Sequence, residues 1–573
     1  MSNMKRWRKI LLISLVMVSM VLLQGCPGGG LIDSYRLISG DIKQYEKAEF
    51  EIIVNTQYVN AYDQDEVMLD MILTTPLGED LILPCYFERN SGEQQSLWKA
   101  RFAAAEVGSY SYYFKLTQAD MSLSSAKSTF EVSGSSSDGF LHVNDFWTLK
   151  FDSGKPFRGI GENVGWESRN YENPKHTYDY LLPTLSENGA NFFRTWMCAW
   201  DLPIEWPKVS KHTDRYTDSD AYFHPQGIQR MDELVDMIDS LDLYMMLAMN
   251  THGPLIDGGG WENYRYNTAN GGPAETPTDF FTNEDARKMS KNKFRFLVAR
   301  WGYSTHIGAW EFFNEIDNSV FTRTPHDSIR IPHEHVTAWH EEMSNYIKSI
   351  DPYGHIVTTS VSHREIDGMF DVKNIDIAQR HIYKKTEQIP ALTNQYAEEY
   401  GKPFVWGEFG YEWDWNLDFS TIAEESDYDY KRGLCYGLFN PTPILPMTWW
   451  WEFFDDRNMT PYFQSVRMIS DMMLAAGDGA FKPVAVASKG LEAYSVQCGE
   501  KIFVGVLNSQ TERLQSDLVM DLRVGSYDIK RFNPDDRSFI TNGSIAAGES
   551  GLVIPKVSLQ SWDEMIYILT PKK

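Results

Sequence analysis

Cysteine is scarce in this chain, with five in 573 residues. Cys85, Cys198, Cys435 and Cys498 lie far apart, in segments of different texture. Neither a disulfide framework nor a paired-cysteine metal site is expected from such spacing. Long apolar runs are also few. One of 14 residues, Ile10–Leu23, follows the basic start Lys5, Arg6, Arg8 and Lys9. A spanning helix needs roughly 20 residues, so this run reads as a targeting segment and not as a membrane span. No second run of that kind occurs, and the remainder is expected to be soluble. Cations are the third shortage: 53 Lys and Arg stand against 79 Asp and Glu, a net charge of −26. That balance argues against nucleic acid or an anionic membrane surface as a partner, and it would not repel a neutral substrate.

Aromatic residues, by contrast, are plentiful, with 18 Trp and 30 Tyr. Sugar-binding clefts use such side chains, and so do large β-rich cores. At the end of the targeting segment, Leu23-Gln24-Gly25-Cys26 resembles the lipobox of bacterial lipoproteins. The resemblance implies a signal peptide over 1–25, cleavage before Cys26 and lipidation of its thiol. The protein would then be held at a membrane of the cell envelope, on its periplasmic or cell-surface face, by the lipid anchor alone. Pro27-Gly28-Gly29-Gly30 would act as a flexible tether.

The chain changes texture twice. Residues 26–138 read as an N-terminal β-sandwich, because short runs such as Glu49–Val54 alternate polar and apolar between turn signals. The linker Gly134-Ser135-Ser136-Ser137-Asp138-Gly139 closes that section. Over 139–484 short apolar strands alternate with amphipathic helices. One helix carries Met231, Leu234, Val235 and Ile238 on one face, and another Val336, Met343, Ile347 and Ile350. Strand candidates fall near Phe157–Gly161, Asn191–Thr195, Tyr244–Met249, Gly308–Phe313, Ile356–Ser360, Ile375–His381, Phe404–Glu408 and Ile444–Trp449. These eight βα units predict an α/β fold, a (β/α)8 TIM barrel. Over 485–573 the helical period stops, and runs such as Lys501–Leu507 predict a second, C-terminal β-sandwich.

Two carboxylates stand out by position. Trp310-Glu311-Phe312-Phe313-Asn314-Glu315 ends the fourth barrel strand, and Val405-Trp406-Gly407-Glu408-Phe409-Gly410 ends the seventh. Barrel active sites form at the carboxyl ends of strands, so Glu315 and Glu408 should enter one cup. Cleaving a glycosidic bond with retention needs such a pair, one to protonate the leaving oxygen and one to attack the anomeric carbon. Their acidities must differ, and Phe312, Phe313 and Trp406 are apolar neighbours that could help arrange this.

The middle of the chain resembles the clan A glycoside hydrolases, and among them the family 5 cellulase-like enzymes. The resemblance rests on Asn314-Glu315 and on Glu408 about ninety residues later, with further residues in matching order. It implies that Glu315 is the acid/base and Glu408 the nucleophile. It implies that Arg194, in Phe193-Arg194-Thr195-Trp196, braces the nucleophile and that Tyr383, in His381-Ile382-Tyr383, hydrogen-bonds it. Asn314 would bind the sugar 2-hydroxyl. Trp449-Trp450-Trp451 sits where the family places its tryptophan platform, and alternation lets Trp449 or Trp450 face inward but not both. The family expects a histidine at the end of strand three, where this chain offers Asn250 or His252. The flanking β domains also resemble those of bacterial multidomain relatives.

The loop after strand three is long and carries Trp261 behind Gly258-Gly259-Gly260, so Trp261 is expected to touch substrate. No cofactor or metal is expected. Gly159-Ile160-Gly161-Glu162-Asn163-Val164-Gly165 places its third glycine one position late for a dinucleotide loop. His333-Glu334-His335 lacks the spacing of a helical zinc site and reads as a helix start. The function expected is a retaining β-glycosidase acting on a polysaccharide or oligosaccharide, of the cellulase or mannanase type. An exo-acting or agarase-like hydrolase on the same fold, and a non-catalytic glycan-binding lipoprotein, are the alternatives.

Overall fold

The computed structural model describes residues 24–25, 30–167, 177–209, 215–323 and 327–572. Cys26, the expected lipidation site, lies outside them. Among the described residues no helix is long and apolar enough to cross a membrane.

Residues 30–133 form two facing sheets of mostly antiparallel strands. The period-two pattern of Lys47–Val54 turns Ala48, Phe50, Ile52 and Val54 inward, all fully buried. Phe50 meets Tyr112 and Phe130 of the opposite sheet edge-on, with ring centres 5.0 and 5.6 Å apart. The following Ser/Gly stretch is tied down at both ends. Ser135 Oγ donates to Gln44 O at 2.8 Å, and Lys155 pairs with Asp138 at 2.7 Å.

Seven parallel strands in sequential order make the barrel wall. They are β1 (Gly161–Asn163), β2 (Phe192–Trp196), β3 (Tyr244–Ala248), β4 (Ile307–Glu311), β5 (Val357–Val361), β6 (Ile377–Tyr383) and β7 (Phe404–Gly410). The eighth position, expected at Ile444–Trp449, is filled by extended chain in place of a regular strand. It closes the barrel through parallel bridges Gly159 to Ile444 and Phe409 to Thr448. The first strand starts later than expected. Pro156–Phe157 belongs to a small antiparallel sheet with Leu141–Val143 and Leu149–Phe151. Phe157 packs on Phe151 and Tyr244, so this sheet caps one end of the apolar interior with Leu141, Leu149 and Phe151.

Helices α1 (Thr177–Glu187), α2 (Pro225–Leu241), α3 (Glu284–Trp301), α4 (His333–Ile350), α5 (Ile389–Tyr400), α6 (Ala423–Phe439) and α7 (Tyr462–Gly477) surround the wall. Their starts follow simple chemistry. Pro225 opens α2 with His224 accepting from Gly227 N, and Asn283 caps α3 by accepting from Ala286 N. The crossing from β5 to β6 has no helix; Ile366, Met369, Phe370 and Ile375 bury in its place.

The C-terminal strands, from Phe481–Pro483 to Asp563–Pro571, hydrogen-bond in one nine-stranded path, not as two separate sheets. Irregular registers at Ser516/Leu518 and Asp528/Lys530 let such a sheet bend. Both faces of Lys501–Asn508 are buried. Ile502, Val504 and Val506 enter the domain's own core, and Phe503 and Leu507 join the barrel's. Gly505 lies between them, where a Cβ would come within 2.4 Å of the Phe439 ring of α6.

Candidate active site

Alternation along the strands separates the barrel's inside from its helix layer. On β2, Phe192 and Arg194 point in; on β4, Ala309 and Glu311; on β6, Ile377, Gln379, His381 and Tyr383. The apolar members fill one end, and the polar ones gather toward the carboxyl ends. Strict alternation on β7 from the inward Val405 would send Glu408 outward. A register shift between β6 and β7 pairs Arg380 with Trp406 and then His381 with Glu408, leaving Gly407 as an extra residue. A Cβ on Gly407 would lie 2.7 Å from the Gln379 amide, so only glycine fits there, and the bulge re-aims Glu408 into the cup.

Arg194 organises the floor. It is fully buried and every guanidinium N–H is used. Nε and Nη2 donate to Glu311 Oε2 and Oε1 at 2.6 and 2.8 Å, a bidentate pair. Nη1 donates to Glu408 Oε1 at 2.8 Å and to Asn163 Oδ1 at 3.0 Å. Nη2 also donates to Asn314 Oδ1 at 2.6 Å. Gln379 Nε2 adds a hydrogen bond to Glu311 Oε1 at 2.8 Å. Burial disfavours the Arg194 cation, but the charges of Glu311 and Glu408 outweigh it and raise its pKa.

Glu408 Oε2 accepts from the Tyr383 hydroxyl at 2.6 Å, and His381 Nδ1 lies 3.3 Å from the same oxygen. The same nitrogen is 2.8 Å from Glu315 Oε1. One imidazole thus bridges the two carboxylates. Burial alone would raise the Glu408 carboxyl; the His381 cation, Arg194 and the Tyr383 hydrogen bond overcome this and hold it at about 2. Burial would lower His381, but Glu408 and Glu315 push it up to about 9. The groups that offset burial are all polar, and of the expected apolar neighbours only Trp406 lines the cavity. Phe312 and Phe313 turn to the helix layer and pack on Trp339 of α4, and Trp406 Nε1 donates to Thr393 of α5.

Glu315 sits in the left-handed backbone region, at φ 49°. Its side chain is more open than that of Glu408, 15% against 4% exposed. Asn318 Nδ2 donates to Glu315 Oε2 at 2.9 Å, and His252 Nδ1 lies 3.8 Å from that oxygen. One ligand atom each of Glu315, His381 and Glu408 fall within 4.8 Å of one another. They could hold a metal ion by distance, but the hydrogen bonds among them already use these atoms.

Above this floor lies a cavity of 1180 Å³. Trp449 lines it, tilted against Trp196 with centres 4.9 Å apart. Gly165 makes room for that ring, since a Cβ there would lie 2.9 Å from it. Trp450 does not line the cavity, contrary to its candidacy. It packs on Phe419 and Trp415, with Nε1 donating to Glu412 O at 2.5 Å, because the next inward position is already taken by Trp449. Trp261 is also absent from the lining. Its Nε1 donates to Glu275 O at 3.0 Å and its ring lies 6.0 Å from Tyr264, so it packs its own loop. Of the two strand-three candidates, His252 lines the cavity. Asn250 is buried, donating to Phe312 O and accepting from Lys293 Nζ. Asn314 is fully buried, with Nδ2 3.3 Å from His252 Nδ1.

Sequence reasoning missed Glu311, Asn163 and Gln379. Strand phase signals two of them: Glu311 lies two residues beyond Ala309, and Gln379 two before His381.

A (β/α)8 barrel with two apposed glutamates at the ends of its fourth and seventh strands is the architecture of clan A glycosidases. More particularly, the model of the cellulase family, glycosyl hydrolase family 5, matches residues 152–430. Mannan endo-1,4-beta-mannosidase A of Podospora anserina is 26% identical over 220 residues, 33% of this chain and 52% of that protein. The enzyme of the same name from Aspergillus aculeatus is 32% identical over 137 residues, 23% of this chain and 30% of that one. The chain spans about half the length, or less, of these curated relatives. A proposed glycoside hydrolase from Bacteroides vulgatus ATCC 8482 superposes with a TM-score of 0.64 at 12% identity, covering 93% of this chain and 100% of that one. At that identity the likeness is one of fold.

Proposed function

We propose that the protein is a retaining β-glycosidase of polysaccharide degradation, with Glu408 as nucleophile and Glu315 as acid/base. The observation that carries this is the pairing of the two carboxylates, with oxygens within 4.8 Å of each other. Retaining enzymes need about 5–5.5 Å between carboxyl groups and inverting ones about 6.5–9.5 Å, to admit a water. Glu408, held ionised by Arg194 and His381, attacks the anomeric carbon. Glu315, more open and hydrogen-bonded to His381, protonates the departing oxygen and then takes a proton from the incoming water. Likeness to mannan endo-1,4-beta-mannosidases over part of the chain supports a β-1,4-mannan as the first polysaccharide to test.

The test is hydrolysis over a β-glycan panel with the product anomer read by NMR. Retention is expected first. Glu408→Ala should lose turnover on every substrate, and azide should yield an inverted glycosyl azide. Glu315→Ala should keep part of its activity on activated aryl glycosides, with azide giving the retained product. Equal losses on natural and activated substrates for both variants, with no azide product, would sink the roles. No hydrolysis of any β-glycan would favour the glycan-binding alternative.

We further propose that Cys26 is lipidated. Cys26→Ala should then leave the membrane fraction or stay unprocessed; unchanged partitioning would refute the anchor.

A further inference from the structure

The cavity wall is divided by chemistry. Six of its tryptophans, Trp166, Trp196, Trp200, Trp413, Trp415 and Trp449, come from β2, from segments after β1, β2 and β7 and from the eighth position, while Tyr383, Tyr396 and Trp406 come from β6, α5 and β7. Its cations Arg323, Arg364, Arg380 and Lys385 come from the opposite side, after β4 and β5 and on or after β6. Among the described residues the wall has no carboxylate other than Glu315 and Glu408. In a chain of net charge −26, four cations on one wall are a local reversal of sign.

Two of these cations are already matched. Arg364 contacts Asp317 and Asp327, and Arg380 pairs with Glu365. Arg323 and Lys385 are exposed and have no ion pair among the described residues. The cationic wall is also tied to the acid/base. Arg364 Nη2 donates to Asn318 Oδ1 at 2.5 Å, and Asn318 Nδ2 donates to Glu315 Oε2. A general acid stands beside the departing oxygen, so the wall next to Glu315 faces the leaving-group sugar.

We propose that the cleft accepts a β-glycan bearing an anionic group, a carboxylate or a sulfate ester, on the leaving-group side, recognised by Arg323 and Lys385. The side assignment rests on Glu315 being the acid. A planar guanidinium and an ammonium suit either anion, and Arg364 and Arg380 add field without being free to pair. The aromatic half would then stack the neutral ring faces of the same chain.

The test uses the full chain carrying Glu315→Gln, so that ligand is bound without turnover. Calorimetry compares oligosaccharides of a uronate-bearing β-glycan with their carboxyl-reduced forms, and sulfated β-glycan oligosaccharides with their desulfated forms. At low salt one acidic form should bind about tenfold more tightly than its neutral counterpart. The preference should shrink in high salt. Adding Arg323→Gln and Lys385→Gln, both at exposed positions that folding tolerates, should bring the two affinities to about parity. The arm that shows the preference identifies carboxylate or sulfate. Acidic forms that bind no better than neutral ones, no binding of any form, or a preference that survives the double substitution overturns the proposal. Wild-type turnover of aryl β-glycosides, measured in parallel, reports separately on the glycosidase reading.

Discussion

His381 is the side chain on which both glutamates converge. A single nitrogen lies 2.8 Å from Glu315 and 3.3 Å from Glu408, deep in a site where charges interact strongly. Glu408 must be ionised to attack, so its pKa sets the low-pH limb of kcat/KM. Replacing His381 by Asn removes the leading influence that offsets burial. The limb should move to higher pH by about one unit or more. A pH profile of kcat/KM on an aryl glycoside measures this, and an unmoved limb would show that His381 merely fills space. At this scale the sequence was half legible. Glu315, Glu408, Arg194, His381 and Tyr383, singled out by the resemblance and by their order along the chain, are brought together in one hydrogen-bonded cluster. Glu311 was not singled out, although it holds Arg194 bidentately. It lies 117 residues from its partner, and nothing local to either marks the pairing. The inward turn of Glu408 was also read without its cause, the extra residue at Gly407.

The segment closing the barrel shows how one element divides two similar residues. Trp449 and Trp450 are adjacent, but only the first faces the cleft. Trp449→Ala should lower kcat/KM on oligosaccharides by about tenfold to a hundredfold, from loss of a ring face against the sugar. Trp450→Ala should instead cost stability, on the order of 1–3 kcal/mol, through lost contact with Phe419 and Trp415 and the lost hydrogen bond to Glu412. Kinetics and denaturant melts on both variants separate the two effects; the reverse pattern would mean that the ring assignment is wrong. Helical and strand periods were readable across the barrel because each βα unit buries one clear face. Two places were not. Phe157 has the apolar character of a barrel strand but serves the capping sheet. The β5–β6 crossing buries Ile366, Met369 and Phe370 without helical hydrogen bonds. Neither outcome is set by local pattern, since both depend on what the neighbouring strands leave uncovered.

At the scale of the molecule, another buried carboxyl lies where the C-terminal sheet meets α6. Burial pushes Glu564 up to about 7, with Lys431 and the Cys435 thiol offsetting it only in part. Its ordinary value is 4.5, so between 4.5 and 7 the folded chain binds more protons than the unfolded one. Stability from this group therefore falls as pH rises through that window and stays low above it. Glu564→Gln should be more stable than wild type above pH 7, by on the order of 1–3 kcal/mol, and the gain should fade toward pH 4.5 and below. Urea melts across that range test it; a gain independent of pH would indicate altered packing and no titration. The third texture of the chain was legible, but its single continuous sheet was not. Strand patterns report which face is buried, and they do not report whether two sheets share an edge.

The N-terminal β layer bears on how such a protein can change over time. Arg101 of that layer donates to its own Glu49 and to Asp232 of α2, and Arg300 of α3 joins Asp232 to Glu88. Arg295 pairs with Asp70, and Tyr62 sets its ring against Phe296. A Ser/Gly stretch between two sections usually invites recombination, in which one module is exchanged for another. Here a lineage that dropped or swapped the layer would leave Arg295 without Asp70, strip Arg101 and Glu88 from the Asp232–Arg300 pair and uncover part of Phe296. It would have to rewrite two helices at the same time. Exchanging the layer by itself is thus a costlier change to this chain than altering a loop around the cleft.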